Sequence, residues 1–238
     1  MDKVIGGKLA ADALIDRGVD YVFSLSGGHI TPIYQYLDNS SVTIFDTRHE
    51  QAAVFMAEAW ARMNRKPAVA MVTAGPGFTN ALSGIASARL SNAPIILIAG
   101  CVGTEATEKL DLQDMSQLPV ITPMVKKAFV CHVPERIPEF IDMAFRTAIG
   151  GRPGPVYLEL PCNVLNAVVD PARVKKMRTT LASRPVDREN TRKVVELLQA
   201  ARSPIVIGGS GIWYADAGDA LTAFVEKTGI PAFTAGAG

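Results

Sequence analysis

The sequence predicts an α/β fold, a doubly wound parallel sheet with helices on both faces. Three observations predict it. Short apolar runs at residues 42–45, 68–72 and 94–99 alternate with longer stretches of helical periodicity, as strands joined by crossover helices do. The run Pro94-Ile95-Ile96-Leu97-Ile98-Ala99 is apolar throughout, which suits a strand buried on both sides. Two runs end in glycine turns, Ser26-Gly27-Gly28-His29 and Thr73-Ala74-Gly75-Pro76-Gly77, each opening a helix. Such turns lie at the carboxyl edge of the sheet, where ligands bind in open α/β folds.

Taken in order, Ile5, Leu9, Ala13 and Ile15 form a helical stripe, and Gly18 ends that helix. Residues 21–25 read as a short buried strand. The turn at 26–29 leads into a helix with Pro32 near its start, carried by Ile33, Tyr36 and Leu37. The strand at 42–45 runs into Asp46-Thr47-Arg48-His49-Glu50, and an alanine-rich helix follows to Met63. Glu50 therefore stands where a strand hands over to a helix, and the macrodipole favours a carboxylate there. Read locally, Asp46 or Thr47 caps the helix and Glu50 completes a capping box. Read with its place at the sheet edge, Glu50 faces a ligand.

Pro67 marks the next turn, 68–72 is the third strand, and the turn at 73–80 opens a helix reaching Leu90. After the strand at 94–99 the pattern lapses from Cys101 to Pro123, as in a functional loop. A strand at 127–131, a helix at 138–149 and a strand at 155–160 complete a first domain, residues 1–165. Residues 166–186 are basic and patternless, with Lys175, Lys176, Arg178 and Arg184, and read as a linker. Residues 187–238 read as the start of a second, Rossmann-like α/β domain, with strands at 204–207 and 230–233 around a helix at 215–227. So few strands cannot cover their own faces, so this second domain is expected to be cut short.

The totals exclude several classes. With 48% hydrophobic and 20% charged residues the chain is globular. A net charge of +1 gives no electrostatic case for nucleic acid or an anionic membrane as partner. Cys101, Cys131 and Cys162 are far apart without metal-binding spacing, so free thiols in a reducing compartment and no metal site in this chain are expected. No leader-like start and no apolar run near ~20 residues occur, so a cytoplasmic protein is expected.

Five separated motifs stand in one order: Gly6-Gly7, Gly27-Gly28-His29-Ile30, Asp46-Thr47-Arg48-His49-Glu50, Val72-Thr73-Ala74-Gly75-Pro76-Gly77-Phe78-Thr79-Asn80, and Gly151-Arg152-Pro153-Gly154-Pro155-Val156. Together they resemble the N-terminal pyrimidine-binding domain of thiamine-diphosphate enzymes of the acetolactate synthase group. The resemblance covers roughly residues 4–165 and extends weakly after 187. His29 beside the Asp-Thr-Arg-His-Glu run is closer to benzaldehyde lyase and the acetolactate-synthase-like 2-hydroxyacyl-CoA lyases than to biosynthetic acetolactate synthases.

The resemblance implies thiamine diphosphate as cofactor and Glu50 as the acid bonded to N1′ of its aminopyrimidine. Sharing that proton favours the imino tautomer, which takes the C2 proton and gives the ylid. Gly27, Gly28, Thr73, Gly75, Pro76, Gly77 and Asn80 are implied as cofactor contacts, His29 and Gln113 as catalytic groups facing a small-molecule substrate, and Lys126 as a residue near the substrate entrance. Arg152 matches an arginine that contacts FAD in acetolactate synthases; benzaldehyde lyase works without FAD, so flavin stays open. The family holds Mg²⁺ and the diphosphate through a Gly-Asp-Gly motif, absent here. The chain is therefore expected to be a fragment, inactive alone, of a homodimer or tetramer whose active site lies between subunits. The implied activity is that of a carboligase or lyase acting on 2-keto acids, aldehydes or 2-hydroxy carbonyl compounds, including acyl-CoA forms. The rivals are an FAD-containing acetolactate synthase catalytic subunit and a non-catalytic binding module of the same fold.

Overall fold

The structure is a computed structural model describing residues 3–175, 177, 179 and 185–236. It divides into two units, Met1–Thr179 and Thr180–Gly238. The first unit opens with β1 (Val4–Ile5), α1 (Gly6–Asp16), β2 (Tyr21–Ser24), α2 (Thr31–Leu37), β3 (Thr43–Asp46) and α3 (Glu50–Asn64). It continues through β4 (Ala68–Val72), α4 (Pro76–Leu90), β5 (Ile95–Cys101), α5 (Gln117–Ile121) and β6 (Lys127–Val130). It closes with α6 (Ile137–Ile149), β7 (Val156–Pro161), α7 (Cys162–Asn166) and β8 (Val168–Val169).

Six strands form one sheet in the order β3-β2-β4-β5-β7-β6, and every pairing is parallel. Val22 lies opposite Ile44 and Val69, and Ile98 opposite Met71 and Leu158. The two faces of β5 separate cleanly, as the two-residue period of a strand requires. Ile96 and Ile98 join Leu14, Ile33, Leu37, Ile141 and Phe145 from α1, α2 and α6. Ile95, Leu97 and Ala99 join Val54, Ala57, Phe78 and Ile85 from α3 and α4. Each such isoleucine or leucine, fully buried, contributes about 1.5–3 kcal/mol. Helices thus cover both faces, as the apolar runs imply.

The small residues of α3 and α4 bring those two helices close. A Cβ placed on Gly84 would stand 2.6 Å from the Val54 Cβ. Gly84→Ala is therefore expected to cost about 1–3 kcal/mol through overpacking, despite alanine's better helix propensity. Denaturant unfolding checks this, and Val54→Ala in the same chain should recover little of the loss, since alanine keeps the Cβ that stands in the way. On the other face, Asp142 is fully buried in α6 between Arg17 of the α1 cap and Arg146 one turn on. Its Oδ1 also accepts the Thr179 N–H at 3.0 Å.

The linker expected at 166–186 begins later than its composition suggests. Val168 and Val169 form β8, antiparallel to β1, and Val169 is 2% exposed in the core beneath α1. A two-residue pair is too short to show periodicity, so only its tertiary partner identifies it. Residues 176, 178 and 180–184 of the expected linker lie outside the described residues.

The second unit holds α8 (Arg188–Ala200), β9 (Val206–Gly208), α9 (Ser210–Tyr214), α10 (Gly218–Thr228) and β10 (Ala232–Thr234). β9 and β10 pair in parallel, with Ile207 opposite Phe233, and both side chains are mostly exposed. Asp187 caps α8 by accepting the Asn190 N–H at 3.0 Å. Among the described residues, no helix is long and apolar enough to cross a membrane.

Candidate active site

The sheet order reverses between β2 and β4: β2 is followed by β3 on one side, then the chain crosses to β4 on the other. The crevice at the carboxyl ends of β2 and β4 is the topological switch point, the usual ligand site of such sheets. Chain segments leaving β2, β3, β4 and β5 converge there, and they carry nearly all the expected site residues.

Glu50 is the first residue of α3 and only 6% exposed. The local capping-box expectation does not hold. His49 is the cap, its Nδ1 accepting the Gln51 N–H at 3.1 Å. Thr47 is occupied otherwise, its hydroxyl lying 3.2 Å from the Ser24 carbonyl and 3.0 Å from that of His49, while Asp46 pairs with Arg48 at 2.6 Å. The Glu50 carboxylate is left to face α4, where Oε2 accepts from Asn80 Nδ2 at 3.0 Å.

The turn after β4 passes beneath this carboxylate. Gly75 has φ +58° and ψ −114°, a conformation open essentially to glycine alone. A Cβ on Gly77 would stand 2.7 Å from Thr73 Cγ2 and 3.1 Å from Glu50 Oε1. A Cβ on Gly27 would run into the Thr73 side chain. Bare backbone at Gly27 and Gly77 thus flanks Thr73 and reaches the acid. Pro76 is the exposed first residue of α4, and Gly28 faces open space.

A polar chain continues from Thr73. His29 Nδ1 lies 3.2 Å from Thr73 Oγ1, and the Thr73 hydroxyl donates to Gln113 Oε1 at 3.4 Å. His29 packs over Gly100 of β5, where an added Cβ would stand 2.5 Å from the His29 Cβ. Burial pushes the imidazole pKa below its ordinary value, against the opposing pull of Asp111 and a hydrogen bond to Gln113. Gln113 stands in the irregular stretch at φ +66°, and Glu108 and Leu110 are likewise left-handed. Such strained non-glycine residues cluster at functional loops.

Two residues fall elsewhere. Arg152 sits in the turn before β7, at the amino edge of the sheet, where its Nε donates to Asn92 Oδ1 at 2.5 Å. Lys126, matched to the substrate entrance by resemblance, is also at that edge: its ammonium donates to the carbonyls of Thr147 and, at 2.8 Å, Gly150. It closes the C-terminus of α6, where a cation satisfies orphan carbonyls. Gln117, four residues beyond Gln113, is joined to the Gly75 turn. Nothing in its local pattern separates it from an ordinary loop glutamine. Cys101, Cys131 and Cys162 are free thiols, and among the described residues no three His, Cys, Asp or Glu side chains converge as a metal site.

Residues 5–120 match the family described as "Thiamine pyrophosphate enzyme, N-terminal TPP binding domain", and residues 191–238 match "Thiamine pyrophosphate enzyme, central domain". The "Acetolactate synthase large subunit" of Corynebacterium glutamicum is 34% identical over 242 residues, 98% of this chain and 38% of that protein. The "Acetolactate synthase isozyme 3 large subunit" of Escherichia coli is 34% identical over 237 residues, 97% of this chain and 41% of that protein. The "Probable acetolactate synthase large subunit" of Methanococcus aeolicus is 32% identical over 237 residues, 96% and 39% of the two chains. The chain spans about two fifths of the length of the curated relatives it matches.

Proposed function

Because the chain belongs to the thiamine pyrophosphate enzymes, we propose that it supplies the pyrimidine-binding side of a carboligase or lyase. Its substrates are 2-keto acids, aldehydes or 2-hydroxy carbonyl compounds, acyl-CoA forms included. The observation that carries this reading is the buried Glu50 carboxylate, held by Asn80 beside bare backbone at Gly77. A Cβ at Gly77 would collide with Thr73 and crowd Glu50, so only bare backbone lets this turn close on the acid, and an acid so placed suits the ring nitrogen of an aminopyrimidine.

When bound, thiamine diphosphate supplies the electron sink for making or breaking a carbon–carbon bond next to a carbonyl. Glu50 would hold a proton against the ring's N1′, and Asn80 keeps its carboxylate in place. Gly27, Gly28, Thr73, Gly75, Pro76 and Gly77 form the ring's surroundings. With the Thr73 hydroxyl donating to Gln113, the His29 Nδ1–H donates to Thr73, and Nε2 is the basic nitrogen of a neutral ring. In this reading His29 and Gln113 act on the substrate's oxygen atoms. Mg²⁺ accompanies the diphosphate through oxygen ligands elsewhere in the full-length protein. The active form is a homo-oligomer; the outward Phe55, Met56, Met63 and Leu90 of α3 and α4 support an apolar contact there.

The relatives' names favour a second reading, acetolactate synthase activity; the family resemblance adds FAD to that reading, with Arg152 as one of its contacts. Assays of the full-length protein with thiamine diphosphate and Mg²⁺ separate the two. Cleavage or ligation of 2-hydroxy carbonyl compounds supports the first; acetolactate formed from 2-keto acids, with a flavin absorption spectrum, supports the second. Neither product from any substrate class contradicts both.

The histidine sets a pH expectation. Burial disfavours imidazolium, so His29 takes its proton only at lower pH than an ordinary histidine. The acidic limb of kcat/KM due to His29 should lie below about pH 6.5. Asp111→Asn removes the charge that favours imidazolium and should move that limb further toward acid. Movement toward neutral pH would contradict the assignment.

A further inference from the structure

Gln117 is 2% exposed, and its carboxamide is held from four directions. Oε1 accepts the Gly75 N–H at 2.9 Å. Nε2 lies 3.1 Å from the Gly100 carbonyl, 3.0 Å from the Tyr157 hydroxyl and 3.0 Å from Glu159 Oε2. The Tyr157 hydroxyl itself donates to Glu159 Oε2 at 2.6 Å, so its oxygen is an acceptor toward Gln117. All three Nε2 neighbours are then acceptors, and the neighbour of Oε1 is a donor. The amide has one orientation only, because a flipped group would set its NH₂ against an N–H and its oxygen against a carboxylate.

These bonds tie the turn after β4 to the end of β5 and to Tyr157 and Glu159 within β7. Gly75 is the residue on which that turn depends: it precedes α4, and α4 carries Gly77 and Asn80 to the Glu50 carboxylate. Among the described residues no other side chain bonds the Gly75 N–H. We propose that Gln117 is a positioning residue that fixes the Gly75 turn, and through it the register of Gly77 and Asn80 against Glu50. The inference rests on the reading of this crevice as the thiamine diphosphate site. It assigns Gln117 no contact with cofactor or substrate.

Gln117→Glu and Gln117→Leu test it. A neutral glutamic acid offers one O–H donor and one acceptor oxygen, and can replace the amide. Ionised, it only accepts, and it then stands against Glu159 and the Gly100 carbonyl. Thiamine diphosphate affinity, measured by calorimetry on the full-length protein with Mg²⁺ at pH 6 and pH 8, is compared with wild type at each pH, alongside melting temperatures. Gln117→Glu should bind nearly as wild type at pH 6 and about tenfold more weakly at pH 8, the worth of one buried hydrogen bond. Gln117→Leu should be weakened equally at both.

Wild-type affinity in both variants at both pH values would overturn the proposal. So would losses that are independent of pH in Gln117→Glu and simply follow the melting temperature. Those results leave the cofactor reading standing. A wild-type protein that binds no thiamine diphosphate would overturn that reading, and the proposal with it.

Discussion

Glu50→Gln in the full-length protein is expected to lower turnover by about 10²–10⁴, the usual worth of a placed proton-transfer group. The substitution keeps the shape of the side chain, and its remaining oxygen can still accept from Asn80. What it removes is the group able to share a proton with a ring nitrogen. Melting temperature should move little, since Glu50 carries no ion pair among the described residues. Steady-state turnover is the measurement. Unchanged turnover with an intact fold would point instead to a non-catalytic module that kept the family's shape.

Asp142→Ala is expected to cause the largest loss of stability, about 3–5 kcal/mol, as when one partner of a buried ion pair is removed. Asp142 is fully buried, bonds Arg146 at 2.8 Å, contacts Arg17 from the end of α1, and accepts the Thr179 N–H. Removing it takes from Arg17, whose side chain is only 14% exposed, its buried carboxylate partner. α1 and α6 would lose their common anchor on that face of the sheet. The unfolding midpoint in urea measures the effect. A shift equivalent to less than ~1 kcal/mol, the range of a surface pair, would show that Asp142 contributes only as an exposed ion pair does.

Local pattern carries the fold because each strand repeats its signal over several residues. The unbroken apolar run along Ile95, Ile96, Leu97 and Ile98 is readable before any partner is known. The same holds for the place of Glu50 and of the Gly75–Gly77 turn, since both follow directly on strand ends. Contacts that depend on register are not readable in this way. Asp46, Thr47 and His49 are all able to cap α3, and only the engagement of Thr47 with Ser24, from the neighbouring strand's end, and of Asp46 with Arg48 leaves the task to His49. Gln113 and Gln117 look alike in sequence; Gln113, in the irregular stretch before α5, reaches Thr73, while Gln117, the first residue of α5, reaches the Gly75 backbone. Lys126 is likewise placed by the end of α6, 21 to 24 residues away in sequence, and not by its neighbours.

The most direct measurement is the rate at which the C2 proton of bound thiamine diphosphate exchanges with deuterium, read by NMR after quenching, in wild type and Glu50→Gln. If Glu50 governs proton transfer at the pyrimidine, exchange is fast in wild type and slows by at least about 10² in the variant at saturating cofactor. Equal rates in the two proteins, both saturated, would contradict the assignment of Glu50.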